Sequence, residues 1–329
     1  MGKYIIKRIL IGIVIVISGA LVAYAVIRCL PTSFIENLAR QRASNPTSSK
    51  TYQEWVTQLT SVYGLDKGIL AGFVGWLGDA VRGDFGESWE YGVPVVLKFK
   101  QVIGYTIILN VITLFVELLI SIPLGIIAAK NQYKKSDYAI TVFALMGISL
   151  PTFFLAILLK YVFCVKLGLF DMYGVTGRYY NQLDTFGKML DIGHHLVLPV
   201  ITLTMLSIGG LMRYTRTNML EVLNADYIRT ARAKGLPEKK VINKHAFRNT
   251  LIPLVSYMSY LIPSMFTGSL ITETVYQIPG IGYISYLATT KGDIPFAMFY
   301  LTFTLILTQV SLLLADIMYA VVDPRVRIN

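Results

Sequence analysis

Charge is scarce in this 329-residue chain: only 15% of residues are Asp, Glu, Lys or Arg, against 54% hydrophobic ones. Soluble globules carry about a quarter charged residues and under half apolar ones, so an ordinary water-soluble fold is excluded. Cys29 and Cys164 are too few for a disulfide framework or a thiolate zinc cage, and each reads as a buried thiol. No G-x-x-x-x-G-K-[ST] phosphate loop occurs, because Gly187-Lys188 lacks both the upstream glycine and the following Ser or Thr; H-E-x-x-H and C-x-x-C are missing too. The sequence therefore reads as a non-enzyme without a nucleotide site or bound cofactor. His194-His195 adjoin, but the rings of neighbours diverge along a helix and no third ligand lies nearby in sequence, so no metal site is expected. Gly/Ser linkers, low-complexity tracts and short repeats are likewise missing.

What the chain has instead is long apolar runs, each near the 20 residues that a membrane-spanning helix needs. Six occur, at about 9–27, 102–129, 138–163, 196–212, 251–271 and 296–322. The expected fold is an all-α polytopic membrane protein with six transmembrane helices. Lys3, Lys7 and Arg8 before the first run, with Ala23-Tyr-Ala25 near its end, have the outline of a signal peptide, yet the uncharged run is longer than a signal core and reads as a retained helix. Cations next to spans favour the cytoplasm. They concentrate at the N-terminus, at Lys130, Lys134 and Lys135, at Arg325 and Arg327, and above all in the loop after the fourth run. Both termini are then cytoplasmic, with loops 31–100, 165–195 and 276–295 outside. The excess of 11 positive charges is a property of the inner face and needs no nucleic-acid partner.

In the first outer loop, Tyr52, Trp55, Val56, Leu59, Val62 and Tyr63 recur at helical spacing, and Ile69, Leu70, Phe73, Val74 and Leu77 follow. The three tryptophans, Trp55, Trp76 and Trp89, all lie here, as interfacial anchors or as a platform for an external partner. Within the spans, Glu117, Lys160 and Asp316 are charged; Lys160 is placed to snorkel outward. Glu117 with Ser256, Tyr257, Tyr260 and Ser264 forms a candidate translocation pathway, although small and hydroxyl residues also serve helix packing. Pro279, Gly280 and Gly282, beside Glu273, interrupt regular helix and mark a folded-back external gate.

The segment after the fourth run predicts a short helix from about Ala225, capped by Asn224 and ended by Gly235 in a left-handed turn, after which Pro237 and Glu238 start a second helix. Small residues at Ala231, Ala233 and Gly235 would admit another protein closely, with Arg229, Arg232 and Lys234 facing its acidic groups.

Asp226-Tyr-Ile-Arg-Thr-Ala-Arg-Ala-Lys-Gly-Leu236, followed by His245-Ala-Phe-Arg-Asn-Thr-Leu-Ile-Pro253, resembles the coupling loop of ATP-binding-cassette importer permeases of the dipeptide, oligopeptide and nickel branch. Relative to the general Glu-Ala-Ala-x-x-x-Gly motif, Arg229-Thr230-Ala231 stands for Glu-Ala-Ala and Gly235 for the glycine. The departure is typical of the peptide branch. Tyr63-Gly-Leu-Asp66, Arg82-Gly-Asp-Phe-Gly-Glu-Ser88, Ile122-Pro-Leu-Gly125, Ser149-Leu-Pro151, His195-Leu-Val-Leu-Pro199, Glu273-Thr-Val-Tyr-Gln-Ile-Pro-Gly-Ile-Gly282 and Asp323-Pro-Arg325 extend the likeness in order along the chain, in the manner of the first of the two paired permeases.

The resemblance implies the type I importer transmembrane fold, with residues 1–100 as an N-terminal helix plus outer loop and 101–329 as the permease core carrying a coupling loop at 213–250. It implies a prokaryotic cytoplasmic (inner) membrane and a heterodimer with a paralogous permease. Two cytoplasmic ATPase subunits would bind ATP and Mg, and an extracytoplasmic binding protein would deliver cargo. Asp226, Tyr227, Arg229, Thr230, Ala231, Arg232, Ala233, Lys234, Gly235 and Leu236 would contact an ATPase. Oligopeptides or dipeptides are the expected cargo; a nickel complex or oligosaccharide is the alternative within the branch, and a proton-coupled carrier or a passive scaffold the alternative outside it.

Overall fold

The computed structural model describes residues 2–29, 33–45, 50–261 and 263–322. Among these the chain is helical, with no strand beyond one isolated bridge between Glu87 and Pro94. Asp323, Arg325 and Arg327 lie outside the described residues, as do the side chains of Ser256 and Tyr260.

Four helical segments are long and apolar enough to cross a membrane: one beginning in α1 (Gly2–Cys29), then α5 (Val95–Lys130), α8 (Thr185–Leu223) and α15 (Ile294–Val322). A fifth is a bent pair. α6 (Lys135–Ser149) and α7 (Thr152–Lys160), the latter continued by a π-helical turn to Lys166, meet at 98°. The bend replaces the straight helix expected over 138–163. Its cause is local, because the residue before a proline is pushed out of the helical region: Leu150 and Pro151 are both extended, at ψ 132° and 135°.

The fifth apolar run, 251–271, is not one helix either. α11 (Phe247–Leu261) gives way to the single turn α12 (Ser264–Thr267); Gly268 then takes φ +82°, and α13 (Leu270–Tyr276) and α14 (Ile281–Lys291) follow. Among the described residues, four helices, or five with the bent pair, are thus long and apolar enough to cross a membrane, beside the six apolar runs of the sequence.

The helices fall into two compact units. Among the described residues, one comprises those within 2–104 and 284–313; the other comprises those within 105–283 and 314–322. In the first, the outer-loop periodicity is realised as α3 (Tyr52–Val62) and α4 (Ile69–Val81), preceded by α2 (Ser33–Ala43). Thr51 and Glu54 form a reciprocal capping box that fixes the start of α3. The tryptophans divide. Trp76 stacks on Phe73 and Trp89 packs edge-on to Tyr63 at 4.8 Å, while Trp55 lies under the cations of Arg42 and Lys50. Asp293, just before α15, accepts the Ser88 hydroxyl and the amides of Glu90 and Phe296, both at 3.2 Å, and so ties the outer loop to the start of the helix.

In the second unit, Leu109 on α5, Ala156 on α7, Leu196 and Leu198 on α8 and Tyr276 on α13 form a common core. α6 and α8 approach at glycines. A Cβ on Gly209 would fall 2.6 Å from the Ala144 carbonyl, and one on Gly147 would strike that of Met205. Small residues allow such backbone approach between membrane helices. The same pair is clamped at one end by Arg216, whose Nε and Nη2 donate to the two oxygens of Asp137 at 2.8 and 2.7 Å.

Lys160 does not snorkel outward. It is buried, donates to the Val275 carbonyl at 2.7 Å and lies 3.8 Å from the Tyr173 ring centre. The carbonyl end of α13 and an aromatic face supply there what solvent would supply outside.

Candidate functional site

The basic segment after α8 folds as an elbow. α9 (Asp226–Ala233) is followed by the short α10 (Glu238–Lys240) and a π-helical turn, Val241–Ala246, which leads into α11. Asn224 does not cap α9. It terminates α8, and Ala225 occupies the cap position without a side-chain bond, because α8 continues to Leu223 and leaves Asn224 with helical backbone angles. Gly235 takes φ +72°, as the left-handed turn requires. The Leu236 amide donates to Ala231 O and the Gly235 amide to Arg232 O, the paired bonds of a Schellman turn.

Position within α9 separates anchor from contact surface. Ile228 and Ala231, one turn apart, are buried against Met219 of α8, Ala129 of α5 and Val241, Ile242 and Ala246. Burying Ile228 alone stabilises the elbow by about 1.5–3 kcal/mol. Ile228 carried no functional expectation, yet its spacing of three from Ala231 already marked an inward stripe. Ala231 thus serves the chain's own interior, whereas Tyr227, Arg229, Thr230, Ala233, Lys234 and Gly235 are exposed and Leu236 is half-buried.

Arg229 lies 3.6 Å from Asp226, and Arg232 donates to both oxygens of Glu238 at 3.2 and 2.8 Å, closing a brace across the turn. That hydrogen-bonded pair holds the Glu238 carboxyl below its ordinary range and raises the guanidinium of Arg232. Arg232 is consequently engaged within the chain and not held ready for a partner's acid.

A second place of interest is a cavity of about 410 Å³ lined by α5, α8, α11 and the broken segment after it. Glu117, Tyr257 and Ser264 meet there, together with Asn110 and Ser207, which carried no expectation. Glu117 is 7% exposed and lines the cavity with Ser207, whose hydroxyl donates to the Thr204 carbonyl at 3.2 Å, and Tyr257 stacks on Tyr214 at 4.7 Å. At the cavity rim Asn110 donates to the Ser264 carbonyl at 3.2 Å. The residues expected to form a gate also come together. Glu273, fully buried, accepts Thr106 Oγ1 at 2.9 Å, the Ser269 amide at 3.2 Å and the Tyr283 amide at 2.8 Å. Gly280 and Gly282 lie directly against its carboxylate, where a Cβ would collide, while Pro279 is half-buried.

Elbow and cavity share their helices. Ala129 anchors α9 twelve residues along α5 from Glu117, about 18 Å at the helical rise. α8 joins Met219 in the elbow to Ser207 in the cavity in the same way.

Residues 121–328 match the family described as binding-protein-dependent transport system inner membrane component. The chain belongs to that family. It is also 36% identical to the oligopeptide transport system permease protein AppB of Bacillus subtilis, over 327 residues covering 99% of each chain. It is 32% identical to the OppB permease proteins of Mycobacterium tuberculosis and Mycobacterium bovis, over the whole of both chains. The chain is thus a multi-pass inner-membrane permease component of an ATP-binding-cassette transport system, and the matched region contains the elbow and most of the cavity lining.

Proposed function

We propose that this chain is half of the translocation pathway of an ATP-driven importer of oligopeptides or dipeptides. In this reading the elbow is its coupling element, residues 101–329 are the permease core, and both termini are cytoplasmic. The observation that carries the proposal is the division of α9 into a buried anchor, Ile228 and Ala231, and an exposed contact surface. A partner ATPase that binds ATP and Mg and closes on ligand would push Tyr227, Arg229, Ala233 and Lys234. The anchor would carry that displacement into α5, α8 and α11, the helices around Glu117. Such rigid-body transmission needs no bond to be made in this chain, only two arrangements of the same helices.

A paralogous permease completes the pathway in this reading, and an external binding protein delivers cargo beside the turn built on Glu273, Gly280 and Gly282. The names of the similar proteins favour peptides, and Glu117 offers a carboxylate to a peptide's ammonium group. A proton-coupled carrier would instead transport without any ATPase.

Cysteine crosslinking tests the contact. Ala233→Cys is expected to crosslink to the ATPase subunit of the assembled transporter in a nucleotide-dependent way, whereas Ala231→Cys, 7% exposed, is not. Crosslinking of neither, or uptake by the chain without ATPase subunits, would refute the proposal.

A further inference from the structure

The fold supplies what the sequence around His194-His195 did not show: a third ligand. One ligand atom from each of Asp171, His194 and His195 lies within 4.8 Å of the other two. His195 is held rigidly about three turns into α8, its side chain only 2% exposed. Its Nδ1 lies 2.8 Å from the Asp191 carbonyl oxygen; a carbonyl only accepts, so Nδ1 carries a proton and, in the neutral ring, Nε2 has the lone pair. That buried Nε2 finds no hydrogen-bond partner, although a carboxylate oxygen of Asp171 is 3.2 Å away. A lone pair facing a carboxylate is repulsive unless a cation lies between them.

The other groups fit the same account. His194 Nε2 donates to Leu169 O at 3.1 Å, which leaves Nδ1 with the lone pair, and its ring stacks on Phe170 at 4.6 Å. The Asp191 carboxylate, 3.9 Å from His195 Nδ1, accepts the Gly177 amide at 2.8 Å. Carbonyl and carboxylate together orient the imidazole as outer-shell groups orient metal-binding histidines.

We propose that Asp171, His194 and His195 form a site for a divalent transition metal of the zinc class, clamping the loop before α8 to the helix. Two imidazoles and a carboxylate suit such ions, with water in a fourth position. At metal–ligand distances of about 2.0–2.2 Å, tetrahedral ligand atoms are about 3.4 Å apart. The His195–Asp171 separation already meets that spacing. The remaining contraction falls on Asp171, with 64% of its side chain exposed, and on the exposed His194.

The test uses the full chain in detergent, purified by a tag without histidine, titrated with Zn2+ against a chromophoric chelator. One tight equivalent is expected. Asp171→Asn, at an exposed position, should weaken it by more than about 10-fold, the lower range for losing even an outer-shell group. His195→Gln should abolish it, and His245→Ala should leave it unchanged. X-ray absorption should show two imidazoles. A monodisperse elution profile for each variant separates lost binding from misfolding. The proposal is overturned if the parent binds zinc no more tightly than the Asp171→Asn and His195→Gln variants, as a proton-mediated His195–Asp171 pair would, or if the tight equivalent survives both substitutions.

Discussion

Replacing Gly235 separates two reasons for a glycine at the elbow. Its backbone stands at φ +72°, and a Cβ built there would meet nothing within 4 Å inside this chain. Any internal penalty is therefore conformational: roughly 1–2 kcal/mol for an ordinary L-residue in the left-handed region, less for Asn and more for a β-branched residue. Relaxing the backbone instead would forfeit the Leu236–Ala231 and Gly235–Arg232 bonds, each worth about 0.5–1.5 kcal/mol. Strain of 1–2 kcal/mol shifts the balance between intact and frayed turn by roughly 5- to 30-fold. The assay is peptide uptake and ATP hydrolysis by the assembled transporter in proteoliposomes, measured for Gly235→Asn, Gly235→Ala and Gly235→Val. Uptake per ATP should fall in that order, with Asn nearest the parent. Equal, severe loss in all three would show that bare volume against the ATPase matters and not the backbone. Unchanged uptake in the valine variant would refute the coupling role of the turn altogether.

The Arg232–Glu238 brace predicts a pH response. Because the folded Glu238 carboxyl lies below its ordinary value, its stabilisation is present above about pH 4.3 and is lost as pH falls through the folded value. Glu238→Gln should lower stability by only about 0.5 kcal/mol near neutrality, since both partners are over 40% exposed, and the difference in Tm should shrink as the pH falls below about 4.3; a difference that grows on acidification contradicts the pairing. Lys160→Met removes the donor to the Val275 carbonyl and should lower stability by about 1–3 kcal/mol in detergent melts, whereas a snorkelling lysine would leave Tm unchanged. Glu117→Gln keeps the cavity's shape and should weaken transport of peptides with a free amino terminus by about 10-fold, with ATPase assembly intact; equal transport of free and blocked peptides by parent and variant would remove Glu117 from the pathway.

Features carried by uninterrupted local pattern were legible in the sequence. The apolar runs that became α1, α5, α8 and α15 did not depend on their neighbours, and Gly235 announced its turn through backbone chemistry alone. Ser149-Leu-Pro151 was visible as a motif, but its 98° consequence was not, since hydropathy averages over a bend. Side chains whose partners are distant in sequence were misjudged or missed. Lys160 finds Val275 and Glu273 finds Thr106, 115 and 167 residues away. Asp171 reaches the histidines only because the intervening loop folds back. Ala231 looked like contact surface because small residues permit approach from either side of a helix; burial of Ile228 on the same stripe decides which side.

The elbow is finished before any partner arrives. Ile228 is seated, the turn is hydrogen-bonded and Arg232 braces Glu238 within a single chain. A segment that folded only on docking would lose much of its binding energy to ordering and would be slowed by that step. A preformed surface docks as a rigid body, so association should be limited by encounter and orientation, and substitutions on the exposed face should act chiefly on how long the complex lasts. In the proposed coupling role, assembly order then places no demand on the elbow: permease and ATPase could meet late, separate and meet again without the joint refolding.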